Sequence, residues 1–307
     1  MRIGYPCINL TIGCKSDSTF RLKSYTDERL RSTIENNLDC LQRILQFNIE
    51  HDILNFRITS DLVPFASHPV CRFDWQSHFR DKFAEIGNYI NRHKIRISMH
   101  PGQYTVLNSP DALVVERSKK ELLYHQQVLD ALGIDASAKI QIHIGGVYDD
   151  KPAGMIRFID VYNSLEEETR KRLVIENDDL RYTLHDCMNV YEKTGIPVLF
   201  DIFHHELNSS GESIGNAFNV FTRTWNKEDG IPMIDYSSGD EAGKRIKHAG
   251  SIDIDLFQRL LKQTAKFDFD IMLEIKDKEQ SALKAVKAVS HDKRFTGKVK
   301  TEIEQKG

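Results

Sequence analysis

Apolar runs rich in β-branched residues recur along the chain at intervals that longer amphipathic stretches separate. The runs are 2–10 (RIGYPCINL), 53–59, 96–100, 139–145, 173–177, 198–204, 232–237 and 270–276, and each predicts a strand. Between and after them, apolar residues fall at helical spacing over 26–48, 75–93, 109–133, 152–165, 183–195, 214–226, 253–267 and 279–290. In the first of these, Leu30, Ile34, Leu38, Leu41 and Leu45 mark one face, and Thr26 is placed to cap it. Ser109-Pro110 reads as a helix start, and Gly133 and Gly195 as helix ends. Strict alternation of strand and helix predicts an α/β protein, a single-domain (β/α)8 TIM barrel over 1–290. A doubly wound dinucleotide fold is disfavoured, because no GxGxxG follows the first strand. The Lys- and Glu-rich end, 291–307, reads as a solvated or disordered tail.

Composition adjusts this picture little. The 307 residues are 40% hydrophobic and 28% charged, which suits a soluble globular domain. No apolar run is long enough for a membrane span, and the N-terminus lacks the pattern of a signal peptide, so a cytoplasmic location is expected. The five cysteines (Cys7, Cys14, Cys40, Cys71, Cys187) form no CxxC pair and are odd in number. They are expected to be reduced thiols, neither a disulfide framework nor a zinc site. A net charge of −3 gives no global pull toward nucleic acid, so any such contact must be a local basic patch.

Metal-capable side chains gather at the predicted strand ends. His100 ends the third strand, His143 lies late in the fourth, and Glu176 ends the fifth. Asp201 and His204 close the sixth, Asp235 the seventh and Glu274 the eighth; His248 follows the seventh and His68 follows the second. In a barrel those ends converge on one mouth, so the set predicts a polynuclear metal site at the C-terminal ends of the strands. Imidazole with carboxylate suits Zn²⁺ or Mn²⁺, and without a cation the carboxylates would repel one another. His205 is the neighbouring alternative to His204, and alternation lets only one of them face the metals. Such a mouth can activate water and clamp a phosphodiester. Glu176 is the expected bridging carboxylate and the catalytic residue. The products would then be a 3′-hydroxyl and a 5′-phosphate. Loops after the first and seventh strands carry Lys15, Arg21 and Lys23, and Lys244, Arg245 and Lys247, a basic rim for phosphates. Metal-dependent sugar isomerases use a similar mouth and are a competing reading, as is a non-catalytic DNA-binding protein.

The segments SMHPGQY (98–104), IENDD (175–179) and DIFHH (201–205) are the most specific pieces of a resemblance that runs from RIGYPCINLTIGCK to MLEIKDKE. On them the chain resembles the UV damage endonucleases, related to endonuclease IV-type nucleases and xylose isomerase-like barrels. The resemblance implies a barrel holding two or three divalent ions, usually Mn²⁺, with Zn²⁺ or Mg²⁺ as alternatives. It implies nicking of double-stranded DNA immediately 5′ of cyclobutane pyrimidine dimers and 6-4 photoproducts, with action on abasic sites, by a monomer in a bacterial or archaeal cell. An abasic-site endonuclease is the related alternative. The implied ligands are His68, His100, His143, Glu176, Asp201, His204, His248 and Glu274. Gln103 and Tyr104 match a pair that probes the lesion, and Tyr5 and Asn9 match residues lining a lesion pocket. The family often has Pro-Lys-x-His on the seventh strand; this chain has Pro232-Met233-Ile234-Asp235, and Asp235 is kept as a ligand.

Overall fold

The computed structural model describes residues 1–239 and 247–297. Eight parallel strands close a barrel in sequence order: β1 Ile3–Pro6, β2 Asn55–Ile58, β3 Arg96–Met99, β4 Lys139–His143, β5 Leu173–Glu176, β6 Val198–Asp201, β7 Met233–Tyr236 and β8 Asp270–Leu273. The ring closes where β1 pairs with β8, Ile3 opposite Ile271. The helices outside it are α1 Asp27–Glu50, α2 Trp75–His78, α3 Arg80–His93, α4 Ala112–Ala131, α5 Lys151–Asn163 and α6 Glu167–Arg172, then α7 Leu184–Thr194, α8 Ile202–Leu207, α9 Ile214–Phe221, α10 Ile254–Gln263 and α11 Glu279–Val289. All eight predicted strands are present, each shorter than its apolar run. The first stops at Pro6 because Cys7 takes a left-handed φ of 72°. The sixth stops at Asp201, whose carboxylate accepts from His204 N–H and caps α8.

Strand alternation sorts the residues into two layers. Phe56, Ile58, Ile97, Met99, Ile140 and Ile142 face outward and pack under the helices, buried. On α1, Leu30, Ile34, Leu38, Leu41 and Leu45 meet that layer and are wholly buried, each stabilising by roughly 1.5–3 kcal/mol. The inward positions include Asn55, Arg57, Lys139, Gln141, Asp235 and Asp270, all buried, so polar groups share the barrel interior with apolar residues such as Met233.

Several expectations are corrected. The predicted helix 75–93 breaks at Phe79 into α2 and α3. Asp111, not Ser109-Pro110, caps α4 by accepting from Leu113 N–H. The segment after 290 is not all solvated. Phe295 is buried in the core, and the Arg294 guanidinium donates to the carbonyls of Leu261, Thr264 and Phe267. The remainder, 298–307, lies outside the described residues. Cys14 and Cys40 form a disulfide with Cα atoms 5.8 Å apart, tying the loop after β1 to α1; Cys7, Cys71 and Cys187 are free. Their wide separation along the chain hid the contact, which exists only because α1 folds back across that loop. Among the described residues no helix is long and apolar enough to cross a membrane.

The disulfide has a direct check. Protein denatured without reductant should titrate three thiols per chain, and five after reduction. Five thiols before reduction would show that Cys14 and Cys40 are unpaired.

Candidate metal centre

Glu176 ends β5 and is 1% exposed. Three imidazoles surround its carboxylate: His100 Nε2 at 3.6 Å and His143 Nε2 at 3.5 Å from Oε2, and His204 Nδ1 at 3.2 Å from Oε1. His100 follows β3, His143 ends β4 and His204 lies on α8, so the loops of four strands meet here. His204 is therefore a helix residue and not a strand end. Its neighbour His205 turns away, with Nε2 against the Glu212 carbonyl and its ring edge-on to Phe200. The choice of His204 over His205 agrees with this placement, although helix geometry rather than strand alternation separates the two.

Two loop devices fix the donors around Glu176. Asn177 clamps the ends of β5 and β6: its amide donates to the Asp201 carbonyl at 2.9 Å and accepts from Asp201 N–H at 3.0 Å. Its own carbonyl takes His204 Nδ1 at 3.0 Å. Beyond His143, Gly145 has φ 116°, and an added Cβ would sit 2.3 Å from Asn108 Oδ1. Only glycine lets the Asn108 side chain bridge to Gly146 from both its amide and its carbonyl.

The electrostatics follow from burial. Burial disfavours the Glu176 charge, but His143, His204 and His100 outweigh it and hold the carboxyl well below its usual range. Burial pushes His100 down to about 4, which leaves it neutral near pH 7. Burial also works against a charged His204, yet Asp201 and Glu176 overcome it and raise that imidazole to about 11. Glu274 is opposed by burial and rescued by Arg57, which brings it to about 2.

Metal-capable atoms converge in three groups among the described residues: His100–His143–Glu176, Glu176–Asp201–His204 and Asp201–Asp235–Glu274, each within 4.8 Å. The first two share Glu176 and fit divalent cations. The donors are imidazole and carboxylate, and Asp201 Oδ2 is buried without a hydrogen-bond partner. The third group differs, because both Asp235 oxygens already accept from Arg57, and one also accepts from Gln141. Asp235, expected as a ligand, thus belongs to a metal-capable group but shares its carboxylate with Arg57 and Gln141.

Other expected residues are placed as follows. His248 stands beside Glu274, Nε2 to Oε2 at 3.7 Å, outside the three groups. His68 sits exposed on the rim, and its Nδ1 accepts from Val70 N–H, so in the neutral ring Nε2 carries the proton and offers no lone pair. Tyr5 and Asn9, expected at a lesion pocket, are both buried. Tyr5 points outward from β1 and is wholly buried, bonding to Asn48 of α1 and Asn9; the Asn9 carbonyl accepts from Thr11 and Ile12. Lys15 is exposed after β1, whereas Lys244 and Arg245 lie outside the described residues. Gln103 and Tyr104 are exposed, Tyr104 at 84%. Gly102 before them has an open Cβ position and no positive φ, so glycine is not forced there. A cavity of about 1430 Å³ runs past His100, His143, Gln103 and Tyr104, and Arg117, Lys120 and Arg181 also line it. Arg57, Gln141, Asn177 and Asn108 went unread in the sequence. For the first two a signal existed, since alternation from Asn55 and from His143 puts Arg57 and Gln141 inside the barrel.

Fold and site define a (β/α)8 barrel with metal-capable histidines and carboxylates at its C-terminal mouth. The model of the UV-endonuclease UvdE family matches residues 1–306. The UV DNA damage endonuclease of Clostridium perfringens is 40% identical over 291 residues, covering 94% of this chain and 71% of that protein. That of Bacillus thuringiensis subsp. konkukian is 31% identical over 300 residues, covering 94% and 95%. The solved structure of SacUVDE superposes with a TM-score of 0.91 at 44% identity, covering 95% of this chain and 98% of that one. The chain belongs to the UV-endonuclease UvdE family and, with it, to the DNA-cleaving hydrolases. Endonuclease IV from Thermus thermophilus (TM-score 0.53, 14% identity, 81% of this chain and 93% of that one) shares the fold.

Metal loading should release a proton. His204 is protonated near pH 7 in the metal-free centre and must lose that proton to ligate, so metal affinity rises with pH. Calorimetric titration with Mn²⁺ in two buffers of different ionisation enthalpy should show net proton release on binding. Binding with no buffer dependence would contradict the assignment.

Proposed function

We propose that this chain is a metal-dependent DNA repair endonuclease that nicks duplex DNA immediately 5′ of cyclobutane pyrimidine dimers and 6-4 photoproducts, and also acts at abasic sites. The observation that carries this reading is Glu176, shared by two donor groups whose imidazoles, His100, His143 and His204, line a cavity that exposed Gln103 and Tyr104 also wall. Divalent cations, Mn²⁺ first among them, held by His100, His143 and Glu176 and by Glu176, Asp201 and His204, would supply water activation and charge neutralisation at the scissile phosphate. The chain's own residues do the rest. Arg117, Lys120 and Arg181 bind flanking phosphates in a protein that is otherwise net acidic. Tyr104 offers its exposed ring as a stacking surface where bases leave the helix, and Gln103 offers an amide for the hydrogen bonds they vacate. Unstacking is least costly at a damaged site, which is a source of selectivity. Water adds to phosphorus, the P–O3′ bond breaks, and O3′ leaves as a hydroxyl, so the nick carries a 3′-OH and a 5′-phosphate.

The sugar epimerases among the structural neighbours, such as D-psicose 3-epimerase from Clostridium cellulolyticum (TM-score 0.53, 13% identity, 83% of this chain and 93% of that one), share the fold alone.

The test uses Mn²⁺-loaded protein on two duplexes, one with a single thymine dimer and one with an abasic analogue. Glu176→Gln should slow incision of both by on the order of a thousandfold, about 4 kcal/mol of barrier. Gln103→Ala with Tyr104→Ala should slow the dimer far more than the abasic analogue. No incision of the dimer by metal-loaded wild type would sink the proposal, and equal losses on both substrates would remove the lesion-probing role.

A further inference from the structure

Directly beneath the metal-capable donors lies a second polar layer, made by Arg57 of β2, Gln141 of β4 and Asp235 of β7, none more than 2% exposed. The Arg57 guanidinium donates from Nη2 to Asp235 Oδ1 at 2.8 Å, Asp235 Oδ2 at 2.7 Å and Gln141 Oε1 at 2.7 Å, and from Nη1 to Glu274. The Gln141 amide donates to Asp235 Oδ2 at 2.7 Å and to Glu176. One planar cation and one amide therefore hold three carboxylates that come from three different strands. A guanidinium is suited to this. It keeps its charge, and its fork of N–H groups satisfies several acceptors at once.

The third donor group, Asp201–Asp235–Glu274, meets the distance requirement for an ion, but Arg57 already contacts two of its three members. A divalent ion there would compete with a bonded guanidinium for the same oxygens and be repelled by it. Met233, which precedes Asp235 on the inward face of β7, is wholly buried and adds no hard ligand. We propose that Arg57 is the built-in cation of this third position, so that the centre takes two divalent ions rather than three, and that Asp235 holds Arg57 instead of a metal. Arg57 and Gln141 then act as positioning residues: Gln141 holds Glu176 toward the ions, Arg57 holds Glu274 and Asp235 beside them, and neither meets the substrate. This inference rests on the metal-dependent reading above.

Metal counting tests it without reference to catalysis. Protein stripped with EDTA, reloaded with excess Mn²⁺ and desalted is analysed for Mn per chain by mass spectrometry. Wild type should hold two ions. Three ions would overturn the inference alone; one or none would overturn it together with the two-group reading. Asp235→Asn should still hold two ions, with Mn²⁺ dissociation constants within about threefold of wild type, and loss of an ion would make Asp235 a ligand after all. Arg57→Met removes the cation and frees the third group, so its count should rise to three. A soluble Arg57→Met protein that still holds two would overturn the claim that Arg57 blocks the position. If Arg57→Met does not fold, the wild-type and Asp235→Asn counts decide.

Discussion

A carboxylate buried to 1% exposure at the end of a barrel strand has to be charged and compensated, or it would destabilise the protein. Glu176 meets this demand with three imidazoles above and the Gln141 amide below. The rest of the architecture can be traced from that constraint. His100 and His143 must come from the two preceding strands, His204 from the helix after the next, and Gln141 from one layer deeper. The closed parallel barrel in sequence order brings those elements around one point. The outer face of each strand is then free to be apolar and to carry the helix layer, which supplies the hydrophobic stabilisation. The inner column supplies specificity of placement. Its charges are costly to bury unless every partner is present, which makes the geometry of the mouth rigid.

Much of this was legible in the sequence, because two signals are local. Alternation of apolar runs with helical periodicity is local, and it yields all eight strands. Strand-end position is also local, and it brings His100, His143, Glu176, Asp201 and Glu274 to one mouth. What escaped was pairing across the ring. Arg57, Gln141 and Asp235 sit on β2, β4 and β7, and nothing in their neighbourhoods along the chain tells that they touch. The same blindness explains Cys14–Cys40, which meet only when α1 packs against the loop after β1, and Phe295, a single apolar residue whose core position no periodicity announces. The roles of His68 and Tyr5 were carried over by resemblance, and their surroundings were not legible either: His68 Nδ1 accepts from Val70 N–H, and Tyr5 bonds to Asn48 from the outward face of β1.

The division of labour between rigid and exposed parts is consistent with damage recognition. The ligand set is pinned by Asn177, Asn108 and the Arg57 layer, so it can hold its charge arrangement without substrate. Tyr104, in contrast, leaves most of its ring in solvent beside the cavity. An aromatic held out of the core gains burial only when something stacks on it.

The central claim is that Glu176 is shared between two cations. Anomalous diffraction at the manganese edge, on crystals of the Mn²⁺-loaded protein, tests it most directly. The account predicts one peak among His100, His143 and Glu176 and another among Glu176, Asp201 and His204, with a Glu176 oxygen ligating each. Peaks that do not touch Glu176, or a single ion bound elsewhere in the mouth, would contradict it.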